Sequence, residues 1–168
     1  MLEYNIRISG NKNGKHDYFF NVDEKFFERF VGHDITKAQI EIIATLWKNN
    51  DKLKLSLNIN GFIYGLLCDL CASEIDVKIS NSLSVLLQFS QEKIEDTDEI
   101  MYVQTNQNKI DISHLIYEGV ILSIPTTIKH LNESECNKET ILLLKKYSEK
   151  DKRTDPRWEQ LNKLKDII

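Results

Sequence analysis

Apolar and polar residues alternate through most of the first half of the chain, and a period of two is the signature of half-buried strands. Leu2, Tyr4, Ile6 and Ile8 make the first such run. Gly10-Asn11-Lys12-Asn13-Gly14 turns the chain, and Tyr18, Phe20 and Val22 resume the alternation, so the opening predicts a β-hairpin. Asp23 stands as N-cap of a short helix over 24–30, with Phe26, Phe27 and Phe30 on one face as core contacts. Ala38, Ile40, Ile42, Ala44 and Leu46 predict a long strand, and Asn49-Asn50-Asp51 turns it into a second run, Leu53, Leu55, Leu57 and Ile59. Lys52 and Lys54 fall on the solvent face of that hairpin, as solvation and edge protection. Residues 61–67 read as a third run of the meander, with Gly61 and Gly65 marking a bend or bulge.

Further strand pattern follows at Ile75, Val77 and Ile79, at Leu83, Val85, Leu87 and Phe89, and at Ile100 to Val103. The acidic stretch from Glu92 to Glu99 lacks the EF-hand pattern and reads as a solvated loop. The period then changes. Ile112, Leu115, Ile116, Val120 and Ile124 form an i, i+3, i+4 stripe, capped by Asp111 and stopped by Pro125. Gly119 lies on the stripe, which predicts close approach to the sheet. Residues 138–147 predict a second helix, with Ile141, Leu142 and Leu144 apolar. Asp155-Pro156-Arg157-Trp158, followed by Leu161 and Leu164, predicts a terminal amphipathic helix.

The reading is α+β: an antiparallel β meander of about six strands covered by helices, with a C-terminal amphipathic helix. An open sheet and a partly open barrel both fit the pattern. The expected division is one domain over 1–147, then a charged linker and helix over 148–168.

Composition narrows this modestly. A chain of 168 residues, 41% hydrophobic and 29% charged, can bury a core without disulfides. The odd number of cysteines, three, and an N-terminus without a leader pattern predict a reducing cytoplasm. No run approaches the roughly 20 apolar residues of a spanning helix. The net charge of −4 argues against capture of nucleic acid by bulk charge. Residues 145–168, however, hold eight Lys or Arg against five Asp or Glu, a net of +3 that leaves −7 for the rest.

The candidate chemistry lies in the cysteines. Cys68-Asp69-Leu70-Cys71 is answered by His130 and Cys136, and together they form a Cys3His set suited to tetrahedral zinc. A CxxC between two strands suits a zinc knuckle, whereas the His-x5-Cys spacing is loose. Buried cysteines acting as small hydrophobes, with His130 in a surface loop, fit the same residues. His114 and Glu118 stand four apart on one helix, the spacing of an ordinary surface pair. GxSxG, P-loop, GxGxxG, HExxH and RNP patterns are absent, so nothing predicts an enzyme or a small-molecule substrate. A metal-dependent hydrolase would need an open coordination position, which four protein ligands would close.

The order of these blocks resembles the YceD family, the large ribosomal RNA subunit accumulation proteins of bacteria and plastids. The resemblance rests on Leu67-Cys68-Asp69-Leu70-Cys71, on Ile110-Asp111-Ile112 with Leu122-Ser123-Ile124-Pro125, on His130 and Cys136, and on Asp155-Pro156-Arg157-Trp158 with Leu161 and Leu164. The chain departs from the family in carrying Leu70 where an Arg is usual, and His130 with Cys136 where many relatives carry more cysteine. The resemblance implies a non-enzymatic cytoplasmic factor for accumulation or processing of large-subunit (23S) ribosomal RNA. Its partner would be precursor ribosomal RNA or, in a structural-zinc adaptor, a large-subunit ribosomal protein. Lys145, Lys146, Lys150, Lys152, Arg153, Arg157 and Trp158 are the candidate contacts. A solvated helix surface and linker is the other reading of those basic residues.

Overall fold

Two long, regularly alternating strands set the frame of the protein. A computed structural model describes residues 4–50, 52–92, 94–97 and 99–148. The first of the two, β3 (Lys37–Asn49), turns through Asn50 into the second, β4 (Lys52–Leu67), and their register is unbroken from Lys37↔Tyr64 to Asn49↔Lys52. Ahead of them come β1 (Asn5–Arg7), β2 (Gly14–Asp23) and helix α1 (Glu24–Phe27). Behind them come β5 (Glu74–Ser90), β6 (Ile100–Gln104), β7 (Lys109–Asp111), α2 (Ser113–Ile121), a 3-10 turn (Glu133–Glu135) and α3 (Lys138–Ser148).

The fold is α+β. A five-stranded sheet runs in the order β2-β3-β4-β5-β6, and β1 and β7 form a separate two-stranded sheet. The large sheet is open, and its β5–β6 pair is parallel. By contact the chain divides into two compact units, one of residues up to Leu66 with Glu74–Ile128, the other of Leu67–Ser73 with the chain from Lys129. The expected linker and amphipathic helix beyond residue 148 lie outside the described residues, as does Leu2.

Four details differ from the sequence expectation. β1 does not form a hairpin with β2: it pairs antiparallel with β7, placing Ile6 opposite Ile110, while β2 pairs with β3. The runs 53–59 and 61–67 are one strand, because Gly61 keeps the phase and pairs with Ile40 without a bulge. Gly61 is required instead by close approach, since a Cβ there would lie 2.6 Å from Ile40 Cα and also meet the Gln39 carbonyl. α1 ends at Phe27, and Asp23 makes no side-chain cap bond to it. α2 ends at Ile121, before Pro125, and its N-cap position is Ile112; Asp111 Oδ1 instead accepts the Ser113 N–H at 2.9 Å.

The core of the first unit lies on one face of the large sheet. Ile40, Ile42 and Leu46 of β3 and Leu55, Leu57, Ile59 and Ile63 of β4 are buried there, as are Phe26 and Phe27 of α1 and Ile116 and Val120 of α2. Burial of each such side chain is worth about 1.5–3 kcal/mol. Gly119 lets α2 approach closely, since a Cβ would stand 2.5 Å from both Ile59 and Leu83. Phe30 stacks on Tyr117 at 4.1 Å between centroids, joining the segment after α1 to α2.

Candidate metal centre

All three cysteines lie in the second unit, and each is placed by a short, locally bonded segment. Between β4 and β5, the Cys68 N–H donates to the Ser73 carbonyl at 2.9 Å. The Ala72 N–H in turn donates to the Cys68 carbonyl at 2.8 Å. Closing so tight a turn puts Ala72 at φ 55°, in the left-handed region. Cys68 and Cys71 therefore face the same side of one turn.

The second pair straddles the 3-10 turn, with His130 before it and Cys136 directly after. Asn137 then caps α3, its Oδ1 accepting the N–H groups of Glu139 (3.0 Å) and Thr140 (3.3 Å). Cys136 thus stands directly before the capped N-terminus of α3.

The four donor atoms converge. His130 Nδ1 lies 3.5 Å from Cys136 Sγ and 3.7 Å from Cys71 Sγ, and all four donors fall within 4.8 Å of one another. Zinc–sulfur bonds of about 2.3 Å and zinc–nitrogen bonds of about 2.0–2.1 Å at tetrahedral angles imply S···N edges of about 3.6 Å. The two edges at His130 match that separation, and three thiols with one imidazole are the donor types of a tetrahedral zinc site. This is the one such metal-donor cluster among the described residues.

The electrostatics are graded. Burial pushes the Cys68 thiol up, yet backbone N–H groups of Leu70, Cys71 and His130 outweigh it and lower its pKa to about 7. Cys71 is likewise raised by burial but brought below its ordinary value by the backbone at Asn137 and Ser73. Cys136 is pushed up to about 11, by burial first and then by Cys71 and Cys68 beside it. Three thiols so close together cannot all ionise cheaply without a cation among them.

The cysteines also make up the buried part of what is described of the second unit. Among its described residues, Cys68, Cys71 and Cys136 are the only buried ones, while Leu142, Leu143 and Leu144 of α3 are exposed. Among the described residues of this unit the cysteines are thus the interior, and a metal bound by them would hold these segments together.

The remaining candidates are placed less tightly. Lys145 and Lys146 lie in the last turn of α3, where cations complement the helix dipole. Lys150, Lys152, Arg153, Arg157 and Trp158 lie outside the described residues. His114 and Glu118 form an exposed pair at 3.2 Å on α2, as their spacing predicts. In the acidic loop, Asp96 accepts the Tyr102 N–H and Thr97 bonds to Ile100, so described loop residues serve the backbone. No helix among the described residues is long and apolar enough to cross a membrane.

Sequence reasoning missed the outward face of the large sheet, where Phe19, Ile43, Trp47 and Phe62 are exposed. Their signal is phase: each is an apolar residue at a position that the alternation assigns to solvent.

No curated protein and no solved structure matches the chain. A family model does match, that of the large ribosomal RNA subunit accumulation protein YceD, over residues 61–165. The match begins within β4, takes in all four residues of the cluster and spans more than half of the chain; the protein belongs to the YceD family.

Proposed function

We propose that this protein is a non-enzymatic ribosome-biogenesis factor that promotes accumulation or processing of large-subunit (23S) ribosomal RNA in the cytoplasm. The observation that carries the reading is the family match across the cysteine cluster. The cluster enters as a structural zinc centre. Cys68, Cys71 and Cys136 as thiolates, with neutral His130 through Nδ1, are four protein donors, a full tetrahedral set that leaves no position for a reacting water. Zinc bound there would fix the turn after β4 against the segment leading into α3, so the chemistry supplied is folding rather than turnover.

The direct partner is precursor ribosomal RNA in the leading form of the proposal. A second form has specific support: apart from residues 145–168 the chain carries −7, which suits a basic ribosomal protein. Purification from native cells at low salt, with and without nuclease, separates the two. Large-subunit precursor RNA or its proteins in the eluate is the expected result. Nuclease-resistant recovery of one ribosomal protein selects the adaptor form. An eluate free of ribosomal material, with unchanged ribosome profiles on deletion, overturns the proposal.

A further inference from the structure

The two edges of the large sheet are finished differently. At β6, Asp96 Oδ1 accepts the Tyr102 N–H at 2.6 Å, and Ile100 is bonded to Thr97 through both its N–H and its carbonyl. The other edge, β2, is ten residues long, and its register to β3 is unbroken from Gly14↔Lys48 to Asp23↔Gln39. The phase of its backbone follows from the turn between β3 and β4. The closing pair of a hairpin with two residues between its strands exchanges both backbone hydrogen bonds, and Asn49↔Lys52 is that pair. Odd-numbered residues of β3 therefore bond to β4, and even-numbered ones bond to β2. On β2 itself, Lys15, Asp17, Phe19 and Asn21 turn their N–H and carbonyl groups away from β3. No strand among the described residues meets them there. Asp23, in the same phase, ends the row before α1.

Phe19, at the middle of this row, is 74% exposed. The strand has neither a bulge nor a proline, two devices that keep an edge from pairing. The Tyr4 hydroxyl donates to the Asn21 carbonyl at 3.4 Å, and that oxygen keeps a second lone pair. The charges on the row suit one partner. Antiparallel pairing with β2 of a second copy, about a two-fold axis through Phe19, sets Phe19 against Phe19, Asp17 against Asn21, and Lys15 against Asp23 at both ends. The neighbouring registers are poorer, since one leaves Lys15 facing Asn21 and the other sets Asp17 against Asp23. A cleft of about 550 Å³ opens at the Asp23 end, and Asp23 and Glu41 are among its lining residues while no Lys, Arg or His is. An ammonium group arriving there from a second copy meets only acidic charge.

We infer that the protein forms a symmetric dimer through β2, which joins two five-stranded sheets edge to edge. Main-chain hydrogen bonds between the two strands hold the pair, and the cross-strand side chains fix its register. Lys15 lies 2.9 Å from Asp17 within its own strand. Asp17 also accepts the Thr45 hydroxyl at 2.6 Å, and an ammonium group has three donors, so Lys15 serves Asp17 and the Asp23 of the second copy together. Complementarity selects a copy of this chain over an unrelated extended peptide. A copy brings both halves of each pair, so the Lys15–Asp23 contact is made twice and the exposed Phe19 ring meets its own symmetry mate. The inference goes beyond the ribosomal reading above and does not depend on it.

Sedimentation equilibrium of the full chain is the test, and it should show a dimer at about 100 μM that dissociates on dilution. Phe19→Lys changes an exposed side chain and sets two ammonium groups against each other on the axis. It should weaken dimerisation at least about tenfold with an unchanged circular dichroism spectrum. Lys15→Glu and Asp23→Lys should each weaken it alone, because like charges then face each other at both ends. An equimolar mixture of the two should recover the dimer, since every facing pair is again of opposite charge. If Asp23→Lys does not fold, amide exchange on the wild type takes its place, and exchange at Asp17, Phe19 and Asn21 should slow as protein concentration rises. A wild type that stays monomeric at about 100 μM overturns the inference. So does a dimer that Phe19→Lys leaves unchanged, or one whose β2 amides exchange at the same rate at every concentration. A wild-type monomer that carries an extended peptide of another protein on β2 overturns it as well.

Discussion

Nδ1 of His130 lies 3.5 Å from Sγ of Cys136, across a single 3-10 turn. A zinc ion bound there would take that separation as one edge of its tetrahedron, and Cys71, at 3.7 Å, would make the next edge. Replacing either residue should therefore act on the whole second unit. Cys136→Ser or Cys71→Ser should abolish zinc retention, with the 129–148 segment becoming protease-sensitive. Limited proteolysis beside metal analysis checks this, and the large sheet should stay intact because its core lies in the other unit.

Proton competition should be graded. Zinc uptake must remove the Cys136 proton at any pH below about 11, so affinity should rise at least about tenfold per pH unit above pH 7. Below about 7 the Cys68 thiol is protonated as well, and the dependence should steepen to at least two protons. The metal-free protein should behave differently. The depressed Cys68 pKa stabilises the fold above its unfolded value near 9.0, and that contribution is lost as pH falls towards about 7. The raised Cys136 pKa stabilises below 9.0 and is lost as pH climbs towards about 11. Competition titrations with a chromophoric chelator, and melting curves across this range, measure both.

Gly61 and Gly119 should respond differently to alanine. At Gly61 the new Cβ meets main chain of β3, which cannot move without breaking the register, so Gly61→Ala should cost about 3 kcal/mol, the upper end of overpacking. At Gly119 the obstacles are the tips of Ile59 and Leu83, which can rotate, and alanine adds helix propensity of about 1 kcal/mol. Gly119→Ala should change stability by less than about 1 kcal/mol. Urea unfolding of the two variants distinguishes them.

Ala72 pays for the CxxC turn with a left-handed backbone. Ala72→Gly should relieve about 1 kcal/mol, and Ala72→Val, with a branched Cβ at φ 55°, should destabilise the turn and weaken zinc binding. Thermal melts of the zinc-loaded variants check the order Gly above Ala above Val.

Local pattern carried much of this architecture. The alternation from Ala38 to Ile59 predicted both long strands, because one face is buried and a one-residue slip would expose it. The turn at Gly10 to Gly14 pointed to a hairpin, but the partner of β1 is β7, about a hundred residues away in sequence. Pairing at that distance leaves no local trace at Ile6 or Ile110. Gly61 looked like a bend because glycine in a strand often is one, and only the approach of Ile40 and Gln39 reveals its role. The cysteines and His130 were legible as donor types, but their convergence depends on a fold that brings residue 68 to residue 136. The exposed rings of Phe19, Trp47 and Phe62 stood out of phase in the sequence, between core residues of the same kind that masked them.

The proposed zinc ion holds the turn of Cys68 and Cys71 to the segment of His130 and Cys136. Metal analysis of the protein purified without added zinc, joined to X-ray absorption at the zinc edge, tests it most directly. The account predicts about one zinc per chain with three sulfur neighbours and one nitrogen, and a lower melting temperature after chelation. A folded, metal-free protein whose melting is untouched by chelator would contradict it.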